Sequence, residues 1–238
     1  MRKDAPLWVH EVRHAKVASH QGDLPLTGEG QRQVEAVGRQ FSGKLIPGEV
    51  VSILHAPTQR TRETALILYS SIVEALNYVE QPEVYLSAPA ERWAIRNPDI
   101  YIAGTRIELV STAEAVVEQL PPSSLDPEEL AQLPFLHGFW AAPDRIGYWV
   151  NHPNPPGEDA DTVARRLLMF AVSLLDLPRV QPRRYICVTH SPTMRAFLRR
   201  YLLGYDPGEP AYLESVDLDF DDGSCIVQYR GEQKRLVL

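Results

Sequence analysis

A short apolar run near the N-terminus ends directly in an arginine and a histidine. The apolar residues of this run, Leu7, Val9 and Val12, predict a buried strand that opens a domain. Ligands bind at the carboxyl ends of strands in open α/β sheets, so Arg13 and His14 are predicted to lie at a ligand-binding edge. Arginine offers a planar set of donors for phosphate or carboxylate, and histidine can act as a nucleophile or as an acid and base. An isolated pair of this kind is more simply a strand end that meets water, so its meaning depends on the rest of the chain.

Two further stretches predict the same kind of junction. Val50–Leu54 predicts a second buried strand, and the helix after it carries Arg60 in its first turn. Arg184–Thr189 predicts a late strand that delivers His190 to the start of another helix. Helix N-termini favour anions, because their amide groups are unsatisfied and the helix dipole is positive there. The pattern therefore predicts that Arg60, His190 and His14 converge at one edge of a parallel sheet.

Composition limits the classes of function. The 238 residues suit one sizeable domain. A net charge of −7 argues against non-specific nucleic-acid binding, so a polyanionic substrate would need a local positive pocket. Without a long apolar run at the N-terminus, we expect a cytoplasmic protein with neither a signal peptide nor a membrane span. The only cysteines are Cys187 and Cys225, and no zinc-binding spacing occurs, so no metal is expected.

The middle of the chain differs from the rest in amino-acid composition. Eleven of the 20 prolines lie between Pro82 and Pro156, together with scattered large aromatic residues. This composition predicts a cap insertion at about residues 87–157 over one edge of the sheet, within a single domain of residues 1–238. The alternative is a structural excursion that packs on the core, because aromatic side chains also hold small satellite cores together.

Four segments carry a family resemblance. In order they are Arg13–Ala15, Leu26–Gln33, Ala56–Ala65 and Thr189–Ser191. They resemble the Arg-His-Gly, Leu-Thr-x-x-Gly-x-x-Gln, Ser-Pro-x-x-Arg-Ala-x-x-Thr-Ala and Thr-His-Gly motifs of the histidine phosphatase superfamily, also called phosphoglycerate mutase-like. One such match would carry little information, whereas four in the family's order are specific. The resemblance implies a three-layer α/β/α sandwich with a mostly parallel sheet, and a cap that shapes the choice of substrate.

The constellation is suited to phosphoryl transfer. Arg13, Arg60 and a protonated His190 would supply positive charge around the phosphoryl group. A neutral His14 could then attack phosphorus in line, and water would cleave the resulting phosphohistidine. The two histidines need opposite pKa shifts, which a backbone carbonyl near His14 and a carboxylate near His190 could provide. This chemistry requires no metal and no other cofactor.

The proton donor for the leaving alkoxide is the weakest part of the match. Many family members place a glutamate in a Leu-x-Glu element after the strand that follows the second motif, and the chain has no acid at the corresponding position, Ala88. Glu83 lies just before this strand and Glu91 just after it. We favour Glu91, because it lies on the side where the family glutamate occurs. The branch that uses an aspartate directly after the second histidine is excluded, because Ser191 stands there.

The favoured function is hydrolysis of a small phosphomonoester. A phosphoglycerate mutase is less favoured, because the loop after Ala15 lacks the Glu-Thr-x-x-Asn that mutases commonly carry. A degenerate member that binds a phosphorylated ligand without turnover is the third alternative. We expect a small phosphorylated substrate as the only partner, with neither nucleic acid nor membrane involved, and the sequence does not indicate an oligomeric state.

Overall fold

A seven-stranded sheet forms the centre of the fold. The computed structural model describes residues 5–19, 22–78, 83–122, 124–178, 180–221 and 223–238. The strands of the main sheet are β1 (Leu7–Arg13), β2 (Val50–His55), β3 (Tyr85–Glu91), β6 (Arg183–Thr189), β7 (Ser215–Asp221), β8 (Ser224–Tyr229) and β9 (Glu232–Val237). Two short strands, β4 (Ile100–Ile102) and β5 (Thr105–Ile107), pair with each other in a separate small sheet.

The helices lie between these strands in the chain. They are α1 (Gly28–Ser42), α2 (Gln59–Tyr78), α3 (Ala113–Val117), α4 (Pro127–Gln132), α5 (Pro134–Ala141), α6 (Arg145–Asn151), α7 (Ala160–Ser173) and α8 (Ser191–Leu198). Short 3₁₀ turns follow β3 and α7, and a π-type turn, Arg199–Leu203, extends α8. None of the helices within the described ranges is long and apolar enough to cross a membrane.

The half of the sheet that carries the sequence motifs is parallel. The strand order is β3-β2-β6-β1-β7-β8-β9, in which β3, β2, β6 and β1 run parallel and the last three strands join antiparallel. Six of the seven residues of β6 are buried, as expected for a strand between two parallel neighbours with helices on both faces. The edge strand β9 is mostly exposed and carries Lys234 and Arg235, charges that discourage pairing with another chain.

An apolar cluster lies on each face of the main sheet. On one face α7 and α8 pack on the strands, in a cluster that includes Leu7, Leu167 and Phe197. On the other face α1 and α2 pack around Val34 and Ile53. The architecture is a three-layer α/β/α sandwich, so the predicted fold class is confirmed.

The segment from β4 to α6 has an apolar cluster of its own. Ile100, Ile107, Leu136 and Trp149 are fully buried in it, and it continues onto α7 and α8. The insertion was predicted to begin at about residue 87. In the structure β3 continues to Glu91 within the main sheet, so the separately packed segment begins later in the chain than predicted.

Candidate active site

Two buried histidines lie side by side where β1 and β6 end. These neighbouring strands pair in parallel with Arg13 opposite Thr189, so His14 and His190 leave the sheet at the same level. Their ring centroids are 5.5 Å apart with the planes at 65°, and each residue is only 2% exposed. Parallel strand register thus brings together two motif residues that are far apart in the sequence, as predicted.

The tautomer of His14 is set by the backbone. Its Nδ1 lies 2.8 Å from the carbonyl oxygen of Ala15. Because a carbonyl oxygen can only accept, Nδ1 carries the proton, and in the neutral ring Nε2 holds the lone pair. This is the form that a nucleophilic histidine requires. The loop that follows is fixed against α1, since the Lys16 carbonyl accepts a hydrogen bond from the Thr27 amide at 3.0 Å.

His190 is held by a pair of threonines at the start of α2. Its Nε2 lies 3.1 Å from the hydroxyl oxygen of Thr58. The Thr58 hydroxyl in turn lies 2.9 Å from that of Thr61, which donates to the Ala56 carbonyl at 2.6 Å. The turn between β2 and α2 therefore fixes the orientation of the His190 ring.

Arg60 enters the site from the first turn of α2 and is 8% exposed. Its Nη1 donates to Asp23 at 3.1 Å, and the same carboxylate accepts the Gln59 amide at 2.7 Å. Burial lowers the pKa of Arg60 from its ordinary value, while the negative charges of Asp23 and Glu108 oppose that shift. A guanidinium stays protonated at neutral pH in any case, so Arg60 places a buried positive charge in the site.

Arg13 is the second buried cation and is 5% exposed. Its Nη2 lies 2.6 Å from Oε1 of Glu209, and Nη1 donates to the carbonyl of Pro210. The guanidinium also stacks over the ring of Tyr212, with 4.2 Å between Cζ and the ring centroid. The Nε atoms of both Arg13 and Arg60 have no hydrogen-bond partner among the described residues, so each arginine retains a buried donor for an anion.

One cavity of about 560 Å³ joins these groups. Arg13, His14, Arg60 and His190 all line it. The separately packed segment contributes further polar and charged lining from Arg106, Glu108, Ser111, Gln119 and Arg145. The cavity therefore combines a positive, histidine-containing region with a polar wall built from the middle of the chain.

Comparison with known proteins agrees with this geometry. Residues 9–81 match the sequence model of the histidine phosphatase superfamily (branch 1), a range that includes the first three motifs and therefore His14 and Arg60. The resemblance to the histidine phosphatase superfamily is confirmed. No curated protein sequence matches the chain.

Solved structures with the same fold include phosphatases and a mutase. The mycobacterial glucosyl-3-phosphoglycerate phosphatase is 15% identical with a TM-score of 0.54, over 97% of each chain. The phosphoglycerate mutase from Bacillus anthracis str. Sterne is also 15% identical with a TM-score of 0.54, over 95% of this chain and 93% of that chain. A phosphoserine phosphatase mutant from Entamoeba histolytica is 14% identical with a TM-score of 0.50, over 93% of this chain and 95% of that chain. At these identities the likeness shows the fold alone.

The two glutamates considered from the sequence do not line the cavity. Glu91 ends β3, the outermost strand of the sheet, and its side chain is exposed. Glu83 precedes β3 and lies at the opposite end of that strand from the histidines. The motif pattern does not reveal that β3 lies at an edge of the sheet.

Four other carboxylates line the cavity among the described residues, and sequence reasoning missed all of them. They are Asp23, Glu108, Glu118 and Glu209. Each lies outside the four motifs. No group of three or more His, Cys, Asp or Glu side chains in the described ranges is placed to hold a metal ion.

Proposed function

We propose that the protein is a metal-independent phosphatase that hydrolyses a small phosphomonoester through a phosphohistidine on His14. The observation that carries the proposal is the pair of buried histidines with ring centroids 5.5 Å apart, in one cavity with the buried guanidiniums of Arg13 and Arg60. A nucleophile of fixed tautomer among positive charges is what phosphoryl transfer needs.

The reaction has two steps. In the first, Nε2 of His14 forms a bond to phosphorus while the ester P–O bond breaks, and the leaving alkoxide takes a proton from an acid. In the second, water attacks phosphorus, the P–N bond breaks, and inorganic phosphate leaves. Arg13, Arg60 and a protonated His190 stabilise the charge on the phosphoryl oxygens in both steps.

The lining of the cavity supports a small polar substrate. A volume of about 560 Å³ lies within the range of small-molecule sites. Ser111 and Gln119 offer hydrogen bonds, and Arg145 adds a cation on the side of the separately packed segment. That segment would therefore act as the cap that selects the substrate. We keep the expectation of a cytoplasmic protein without a nucleic-acid or membrane partner as part of the proposal.

The test is hydrolysis of p-nitrophenyl phosphate in excess EDTA, together with the intact mass of protein denatured in alkali during turnover. Wild type should be active and should carry one phosphoryl group, and His14→Ala should lose both properties. His55→Ala is a matched control, because His55 also ends a strand, is buried and places Nδ1 2.9 Å from the carbonyl of the next residue, yet it lies outside the cavity lining.

The alternatives give different results in the same assay. A mutase would form the phosphoenzyme and pass the group to an added alcohol acceptor faster than to water. A protein that only binds phosphorylated ligands would show neither product nor phosphoenzyme. Activity that survives His14→Ala, or that EDTA abolishes, would contradict the proposal.

A further inference from the structure

The proposed reaction needs a proton donor, and the cavity offers a set of candidates. Three of the four carboxylates that line it in the described ranges lie outside the two segments that carry the histidines and have other surroundings. Asp23 binds Arg60 and the Gln59 amide. Glu108 binds Arg106 at 2.8 Å and Asn97 at 2.7 Å, and Glu118 is an exposed residue just after α3.

Glu209 differs because it contacts both of the segments that carry the histidines. Its Oε1 lies 2.6 Å from Nη2 of Arg13, the residue before His14. Its Oε2 accepts a hydrogen bond of 2.6 Å from the hydroxyl of Ser191, the residue after His190. The carboxyl group therefore connects the ends of the two strands that deliver the histidines. Its side chain is 49% exposed and lines the cavity, so a bound substrate can reach it.

Glu209 also contacts a buried arginine, Arg195. Nη1 of Arg195 lies 3.5 Å from Oε2 of Glu209. Arg195 is fully buried, and its Nη2 is 2.5 Å from both Asp144 and Asp206. Burial of Arg195 among three carboxylates fixes its position, so it acts as a positioning residue for Glu209.

Glu209 occupies a position that a substrate phosphoryl group would also reach. Its Oε1 contacts Nη2 of Arg13, one of the two buried guanidiniums of the cavity. A phosphomonoester that binds Arg13 would compete with this contact and would lie beside the carboxyl group, where a proton donor to the ester oxygen is needed.

We propose that Glu209 is the proton donor of the reaction, an assignment that rests on the proposed function. Glu209 takes a proton from solvent as the phosphoryl group replaces it on Arg13. It gives that proton to the ester oxygen as the bond from His14 to phosphorus forms and the P–O bond breaks. In the second step the Glu209 carboxylate takes a proton from the attacking water as the P–N bond breaks.

The decisive experiment compares leaving groups. We would measure the rate of phosphoenzyme formation in single turnover with a series of phosphomonoesters, from p-nitrophenyl phosphate to glycerol phosphate, for wild type and Glu209→Gln. A nitrophenolate leaves without help, whereas an alkoxide needs a proton. Glu209→Gln should therefore slow the alkyl ester by about 100-fold or more, and p-nitrophenyl phosphate by less than about 10-fold.

Glu91→Gln and Glu108→Gln serve as rival variants in the same series. Equal loss for all esters in Glu209→Gln would indicate a structural role and overturn the assignment, as would a leaving-group effect that appears in a rival variant instead. A second measurement does not depend on turnover. Inorganic phosphate should inhibit Glu209→Gln at a several-fold lower concentration than wild type, because Arg13 loses its internal competitor.

The outcomes separate the two proposals. If wild type forms no phosphoenzyme with any ester, the proposed function fails. If wild type forms the phosphoenzyme and Glu209→Gln keeps the same dependence on the leaving group, only the role of Glu209 fails. A melting temperature near that of wild type shows that the variant is folded, and unchanged inhibition by phosphate in a folded variant would also count against the assignment.

Discussion

The buried carboxyl group of Glu11 should make the protein less stable as the pH rises. Glu11 lies on β1 and is 1% exposed. Its register partners, Cys187 on β6 and Val216 on β7, both belong to the apolar cluster under α7 and α8. Neither oxygen of Glu11 accepts a hydrogen bond from a nitrogen or oxygen donor in the described part of the chain. Burial raises the pKa of Glu11 to about 8, and a contact with the Cys187 thiol partly opposes this shift.

The size and sign of the effect follow from linkage. In the unfolded chain Glu11 has its ordinary pKa of 4.5, whereas in the folded protein the value is about 8. The folded protein therefore keeps a proton that the unfolded chain releases. The contribution to the free energy of unfolding is fully present below about pH 4.5 and is lost as the pH rises through about 8. Since one pH unit corresponds to about 1.4 kcal/mol, the loss is about 3 kcal/mol at neutral pH and about 5 kcal/mol above pH 8.

Urea unfolding at a series of pH values tests this prediction. Glu11→Gln and Glu11→Leu remove the titrating group. The free energy of unfolding of each variant, relative to that of wild type, should therefore rise by about 3 to 5 kcal/mol from about pH 5 to pH 8. Glu74→Gln is the control, because Glu74 is an exposed glutamate of α2 and its loss should leave the pH profile unchanged. A difference between the Glu11 variants and wild type that stays constant with pH would refute the reasoning.

Two further predictions concern the site and its supporting loop. Arg60→Lys keeps the charge but loses the planar set of donors, so kcat/KM should fall by about 100-fold, whereas Arg62→Lys at an exposed position should leave steady-state kinetics unchanged. Gly30→Ala would place a methyl group in overlap with the Lys16 carbonyl, so the free energy of unfolding in urea should fall by about 1 to 3 kcal/mol. Gly28→Ala is the control, because its nearest contact is a side-chain atom at 3.7 Å, and it should cost no stability. Equal losses for the two glycine variants would contradict the steric argument.

The sequence predicted the parts of the site that depend on local pattern. Apolar runs predicted the strands β1, β2 and β6, and the structure places His14 and His190 at the ends of two of them. A helix after β2 with Arg60 in its first turn was also predicted, and α2 begins at Gln59. These features could be predicted because the ends of strands and the starts of helices are marked by a local change from apolar to polar or capping residues.

The carboxylates of the cavity could not be predicted in this way. Glu209 meets Arg13 only because β1 and the loop after α8 come together, a contact between the two ends of the chain. Glu108 reaches the same cavity from β5 and its loop, through the packing of the middle segment. The prediction of a donor near β3 depended on sequence spacing alone, and sequence spacing does not indicate that β3 lies at an edge of the sheet. Contacts between residues so far apart in the sequence form only in the assembled fold.

The buried Arg195 has a consequence for how the protein could be re-engineered. One of its carboxylate partners, Asp144, is the N-cap of α6 in the middle segment, and another, Asp206, belongs to the loop that carries Glu209. Arg195 is fully buried, so the loss of a carboxylate partner would leave part of a buried positive charge without compensation. A segment grafted from a relative to change substrate range would therefore have to bring a carboxylate to this joint. Exchange of the middle segment therefore has to include the residue that pairs with Arg195.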